Sequence, residues 1–178
     1  EAGFTGTLNW NSTGTFDVQG QLRVGRTGGT GTVNQTAGVV QGGTTGGGGK
    51  YISVGEGAGS TGTYNLNNGS LLPDGLGAAA TLRQFRVGVD SGTGTLNVGD
   101  GVGAADSALF QSEDDLSIGG GLGTGRMNVK ADGLVELKTN GAPMTVGTGG
   151  ANGLVTQDGG SVKIDGLLAI GQDANSVG

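Results

Sequence analysis

The sequence predicts an all-β protein: a right-handed parallel β-helix, or β-solenoid, of about six coils with three short strands each. Three observations predict it. Glycine recurs at fixed places in a unit of 25 to 32 residues. Short apolar–polar–apolar segments recur in step with those glycines, and one strand position holds asparagine in five successive units. An internal period of this size marks a stacked repeat, and alternation with period two marks a strand with one face inward.

The phrase is plainest from Phe85 to Val98, F-R-V-G-V-D-S-G-T-G-T-L-N-V. The glycine opening its second half has equivalents at Gly6, Gly31, Gly62, Gly94, Gly125, Gly153 and Gly178, at intervals of 25, 31, 32, 31, 28 and 25 residues. A second glycine lies six or seven residues earlier, at Gly25, Gly55, Gly88, Gly119, Gly147 and Gly171. A third follows seven or eight residues later, at Gly14, Gly38, Gly69, Gly101, Gly133 and Gly160. Three glycine corners per unit predict coils at approximately 6–30, 31–61, 62–93, 94–124, 125–152 and 153–178, within one domain spanning 1–178.

The first segment of each unit has apolar outer members: Leu22-Arg23-Val24, Ile52-Ser53-Val54, Phe85-Arg86-Val87, Leu116-Ser117-Ile118, Met144-Thr145-Val146 and Leu168-Ala169-Ile170. Stacking makes Leu22, Ile52, Phe85, Leu116, Met144 and Leu168 one internal column. Val24, Val54, Val87, Ile118, Val146 and Ile170 make another. In the second segment Leu8, Val33, Tyr64, Leu96, Met127 and Val155 point inward. The residue after each is Asn9, Asn34, Asn65, Asn97, Asn128 and then Thr156. Alternation turns these outward, one above another, as a ladder of hydrogen-bonded amides.

The third segment is looser, running through Thr15–Val18, Val39–Gln41, Ser70–Leu72, Leu134–Leu137 and Ser161–Ile164, with Gly101–Ala104 standing in for it in the fourth coil. Extra length follows it, at 42–49, 73–80 and 103–115, which predicts loops gathered along one edge.

Composition narrows the classes. Forty-four residues are glycine, yet there are two prolines and no G-X-Y period, which excludes collagen. A net charge of −6 without a basic run argues against nucleic acid or an anionic membrane as partner. No stretch approaches the ~20 apolar residues of a spanning helix, so no membrane insertion is expected. Cysteine and histidine are absent. Stability therefore rests on stacking rather than disulfides, and the commonest general base and transition-metal ligand are missing. The expectation is a protein that is not an enzyme.

Units of the form L-x-V-G-(x)5-G-T-L-N-V-(x)-G-G-x-V resemble the glycine- and threonine-rich β-helix repeats of bacterial surface proteins, such as autotransporter passenger domains and exported proteins with PEP-CTERM sorting signals. The resemblance covers nearly the whole chain. It implies an extracellular or cell-surface structural solenoid. The absence of a signal peptide at Glu1 is read as removal, or as the chain being an excerpt of a longer one.

The ends carry the functional expectation. No polar capping unit is evident at either. Gly6-Thr7-Leu8-Asn9-Trp10 opens the chain, and Gly166-Leu167-Leu168-Ala169-Ile170-Gly171 lies near its close. Leu8, Trp10, Leu167, Leu168 and Ile170 are the expected self-association residues, joining copies head to tail into a fibre. Two other functions compete. Thr5-Gly6-Thr7, Thr30-Gly31-Thr32, Thr61-Gly62-Thr63 and Thr93-Gly94-Thr95 resemble the threonine arrays of insect-type ice-binding solenoids. Against that stand a break at Arg126 and a central glycine expected to be a corner.

Adhesion to surface glycans would use exposed aromatics among Trp10, Tyr51, Tyr64 and Phe110. Tyr64 is expected in the core, and Phe110 is best placed for an exposed contact, against the alternative of a ring tucked onto the stack. No cofactor is expected. Calcium at Asp114 and Asp115 is the one metal candidate, opposed by the missing G-G-x-G-x-D-x-U-x nonapeptide and by the opposite facing of adjacent strand residues.

Overall fold

The computed structural model describes residues 3–42, 51–73, 84–104, 107–138 and 143–178, and within them the chain winds through short strands with no helix. The first coil holds β1 (Thr5–Trp10), β2 (Thr15–Val18) and β3 (Leu22–Arg26). The second holds β4 (Thr30–Gln35), β5 (Val39–Gly42) and β6 (Ile52–Glu56). The third holds β7 (Thr61–Leu66), β8 (Gly69–Leu72) and β9 (Phe85–Val89). The fourth holds β10 (Thr93–Val98), β11 (Ala108–Ser112) and β12 (Leu116–Gly120). The fifth holds β13 (Thr124–Lys130), β14 (Gly133–Leu137) and β15 (Met144–Thr148). The sixth holds β16 (Asn152–Asp158), β17 (Ser161–Ile164) and β18 (Leu168–Ile170).

Every third strand pairs in parallel, giving three six-stranded sheets. The first runs β1-β4-β7-β10-β13-β16, the second β2 to β17 and the third β3 to β18. This is a parallel β-solenoid of six coils. Leu22, Ile52, Phe85, Leu116, Met144 and Leu168 are successive register partners, as are Val24, Val54, Val87, Ile118, Val146 and Ile170. Together with the Leu8-to-Val155 column they build one hydrophobic core, except that Leu168 and Ile170 in the last coil stay exposed. A lone coil leaves its inner side chains and both strand edges open, so each coil is stabilised by its neighbours.

The glycines divide into two kinds. Gly25, Gly55, Gly88, Gly119, Gly147 and Gly171 are true corners, with φ between 61° and 73° except Gly119 at 78°. The glycines of the first strand in each coil are not corners. Gly31, Gly62, Gly94, Gly125 and Gly153 lie inside strands and face inward, where the third sheet's backbone approaches the first. A Cβ built on Gly94 would stand 2.3 Å from the Gly88 nitrogen, and one on Gly88 would stand 1.9 Å from the Thr124 carbonyl oxygen. Two sheets thus meet backbone to backbone along a seam without side chains.

The fourth coil differs from expectation. Gly101–Ala104 is not its third strand; Ala108–Ser112 is, and the extra residues precede that strand instead of following it. Ala108 takes the register place that Gly69 and Gly133 occupy in neighbouring coils. Asp132, fully buried, anchors the inserted loop. Its carboxylate accepts from the Gly101 nitrogen at 2.6 Å and the Asp100 nitrogen at 3.2 Å, with the Ser107 hydroxyl at 3.5 Å. Burial works against its charge, but the Gly101 and Asp100 N–H groups prevail and hold its pKa below the ordinary carboxylate value. The expected loops at 42–49 and 73–80 lie, apart from Gly42 and Pro73, outside the described residues.

Candidate functional site

The two ends of the solenoid are its least finished surfaces. β1, β2 and β3 are all edge strands at one end, and β16, β17 and β18 at the other, where Val177 pairs with Asn152 and covers only the start of β16. At the first end Leu8, Trp10, Phe16 and Leu22 pack on the core yet remain half-buried. A hollow of about 400 Å³ opens there, between Leu8, Leu22, Val24 and Val33. At the other end a hollow of about 500 Å³ is lined by Met144, Val155, Val162, Ile164, Leu168 and Ile170. Among the described residues, Phe4, Val102, Leu122, Leu154, Leu167, Leu168, Ile170 and Val177 are the exposed large apolar side chains. All but Val102 and Leu122 belong to the first or last coil or to the residues flanking them. Leu168 is 49 % exposed and Ile170 60 %, although their partners four coils inward, Ile52 and Val54, are fully buried. Each end is a cross-section of the core.

The outer face of the first sheet is uncharged across its first four strands. Thr5, Thr30, Thr61 and Thr93 form one row, Thr7, Thr32, Thr63 and Thr95 a second, and the asparagines a third. The amides join along the axis: Asn34 donates to Asn9 at 2.8 Å, Asn65 to Asn34 at 2.8 Å, Asn97 to Asn65 at 2.7 Å and Asn128 to Asn97 at 2.8 Å. All four bonds point the same way, so Asn9 keeps its N–H groups at one end while Asn128 presents its carbonyl toward Thr156. The expected objection to a flat threonine array, a corner glycine at its centre, does not hold. That glycine is part of the strand because only it lets the seam close. The break at Arg126 is real, with Leu154 beyond it.

The aromatics are not free platforms. Phe110, weighed as an exposed contact against a ring tucked onto the stack, is fully buried, with its ring edge-on to Phe85 at 5.0 Å. Counting from the glycine had put it in a loop, whereas β11 carries it inward. Tyr64 is also fully buried and donates to Gln35 Oε1 at 2.7 Å; burial pushes its phenol far above the ordinary value. Trp10 stacks on Phe16 at 5.4 Å. Tyr51 lies between Arg23 and Arg86, whose guanidinium carbons are 5.3 and 5.1 Å from its ring centre.

Asp114 and Asp115 sit in the turn after β11. The Asp115 nitrogen donates to Asp114 Oδ1 at 3.2 Å, and Gln84 Nε2 donates to Asp115 Oδ2 at 3.4 Å. Burial and the neighbouring Asp114 raise the Asp115 pKa. Among the described residues no three acidic side chains are grouped to hold a metal ion.

Sequence reasoning missed two polar clusters. One is the Asp132 anchor. The other, on the outer face of the third sheet, joins Arg23, Tyr51, Ser53 and Glu56: Ser53 and Tyr51 donate to Glu56 at 2.6 and 3.0 Å, and Arg23 lies 3.5 Å from it. The register pairing of Arg23 with Ser53, and of Arg26 with Glu56, was the available signal. No family model matches the chain, and neither a curated protein nor a solved structure is significantly similar to it.

Proposed function

We propose that the protein is a structural element of an extracellular or cell-surface rod, whose open ends take further β-solenoid coils from copies of itself joined head to tail. One observation carries this reading: both ends expose a core cross-section whose columns and strand edges lie in register along the whole axis. Apolar surface concentrated at opposite ends of one molecule suits a heterologous contact, and such contacts propagate instead of closing. Electron microscopy and light scattering over a concentration series test it. Length should grow with concentration, and Ile170→Lys should abolish that growth while circular dichroism stays unchanged. Discrete short particles at every concentration would refute it. Antibody labelling of intact source cells tests the location.

A second reading is favoured by the uncharged threonine and asparagine rows on the first sheet. Strands ~4.8 Å apart with outward residues ~6.6 Å apart offer hydroxyls on a regular lattice suited to ordered water. Ice binding predicts thermal hysteresis that Thr63→Lys abolishes; its absence in the unmodified protein ends this reading.

A further inference from the structure

Resting on the end-to-end reading, the geometry points to a polarity and register code at the junction: copies join only last coil to first coil, with Lys163 of one seated over Asp17 of the next. The two residues belong to one outward column of the second sheet. Asp17 pairs with Gln41 and Gln41 with Leu72. Leu71 pairs with Phe110, which sets Leu72 beside Gln111. Gln111 then pairs with Glu136 and Glu136 with Lys163. Val177 already pairs with Asn152 at the start of β16, so a copy added in register pairs from Thr7 onward, its Thr5 and Gly6 giving way, and puts an exposed lysine one strand spacing from an exposed aspartate. The lysine already leans on Glu136 at 3.1 Å, with 62 % of its side chain still open to solvent. Asp17, at the opposite end of the same column, accepts from its neighbour Gln19.

The alternatives are disfavoured by the same charges. First end to first end brings Asp17 toward Asp17, and last end to last end brings Lys163 toward Lys163. Complementary charge of this kind selects orientation and speeds encounter more than it adds affinity. Two features of the first sheet agree with the same register. Asn9 would donate its unspent N–H to Thr156, the residue that ends the amide column. Trp10 Nε1, buried without a partner, lies in the column that ends at Gln157. There Gln157 Nε2 is held by the Gly160 carbonyl at 3.1 Å, so its Oε1 faces the next coil. Gln35 is built alike: its amide is held by the Gly38 carbonyl at 3.1 Å, and its oxygen accepts from Tyr64 of the following coil.

The chain has no cysteine, which makes cross-linking a clean test. Thr15 and Ser161 end the column beside Asp17 and Lys163. Within one molecule they are five strand spacings apart, roughly 24 Å, too far for a disulfide. Across the proposed junction they are one spacing apart, about 4.8 Å, within disulfide reach. A variant with Thr15→Cys and Ser161→Cys should therefore give a ladder of covalent oligomers under mild oxidation. Adding Asp17→Lys should cut the cross-linked fraction about tenfold at low salt, and adding Lys163→Asp as well should recover it.

Each outcome decides. Assembly without the ladder, or a ladder that Asp17→Lys leaves intact, overturns the register code and leaves the rod standing. No assembly of the unmodified chain overturns both.

Discussion

Replacing Gly88 by alanine isolates what the seam demands. Gly88 has a φ of 64°, and an added Cβ would lie 1.9 Å from the Thr124 oxygen, 2.3 Å from its carbonyl carbon and 2.6 Å from the Gly125 nitrogen. Two costs combine. The left-handed conformation costs a non-glycine residue about 1–2 kcal/mol. The contact is with backbone held in a sheet, so the first and third sheets must part by more than an ångström, and overpacking of this kind costs about 1–3 kcal/mol or more. Gly88→Ala should therefore destabilise by about 2–5 kcal/mol.

Two other alanines separate the causes. Gly101 also has positive φ, at 84°, but its Cβ would meet only the Lys130 side chain, with Cδ at 3.6 Å and Cβ at 3.9 Å, so Gly101→Ala should cost about 1–2 kcal/mol. At Gly20, φ is not in the left-handed region and nothing lies within 4 Å, so Gly20→Ala should gain about 0.4–1 kcal/mol through the unfolded chain. Urea denaturation followed by far-ultraviolet circular dichroism reads all three midpoints. If Gly88→Ala falls within about 1 kcal/mol of Gly101→Ala, the backbone-to-backbone seam does not exist as described.

Asp132 gives a pH signature. Its folded pKa lies below the unfolded value, so its stabilisation is present above about pH 4 and is lost as pH falls through the depressed folded value. Asp132→Asn should lower the urea midpoint at pH 7 and flatten the acid side of the stability profile. Asp115 has the opposite sign. Its raised pKa means stability present below the unfolded value and lost as pH rises through the folded one, so Asp115→Asn should raise the midpoint at pH 7. In the amide column, Asn65→Ala removes two hydrogen bonds and should cost about 1–2 kcal/mol, more than Asn9→Ala at the end, by the same urea assay. Tyr64 should stay protonated until the alkaline transition unfolds the chain, so its tyrosinate absorbance should rise together with the loss of the circular dichroism signal.

The columns were legible because each inward place in a narrow coil must be filled by an apolar side chain and each turn repeats the place. Val24, Val54 and Val87 announce this without help from geometry. β11 was harder to read because Ala108 and Ser112 bury little surface, and an insertion had already shifted the count from Gly94. Asp132 was illegible for a different reason. Its partners at 100, 101 and 107 come from the preceding coil, and no local pattern records that a loop will fold over it. The strand glycines were visible as a period but misread as corners. Sequence shows that a side chain is forbidden there, not whether a turn or an approaching backbone forbids it. The ends were legible as apolar runs, and the matching of Asp17 to Lys163 became visible only once five register steps could be followed.

In all three sheets the hydrogen bonds run along the solenoid axis, because the strands lie across it. A tensile load applied to the two ends would therefore peel strands bond by bond instead of shearing whole ladders together. Each released turn of 25 to 32 residues would pay out a tether of about 80–115 Å. Under strain the protein would lengthen by discrete, recoverable steps, absorbing a pull instead of snapping.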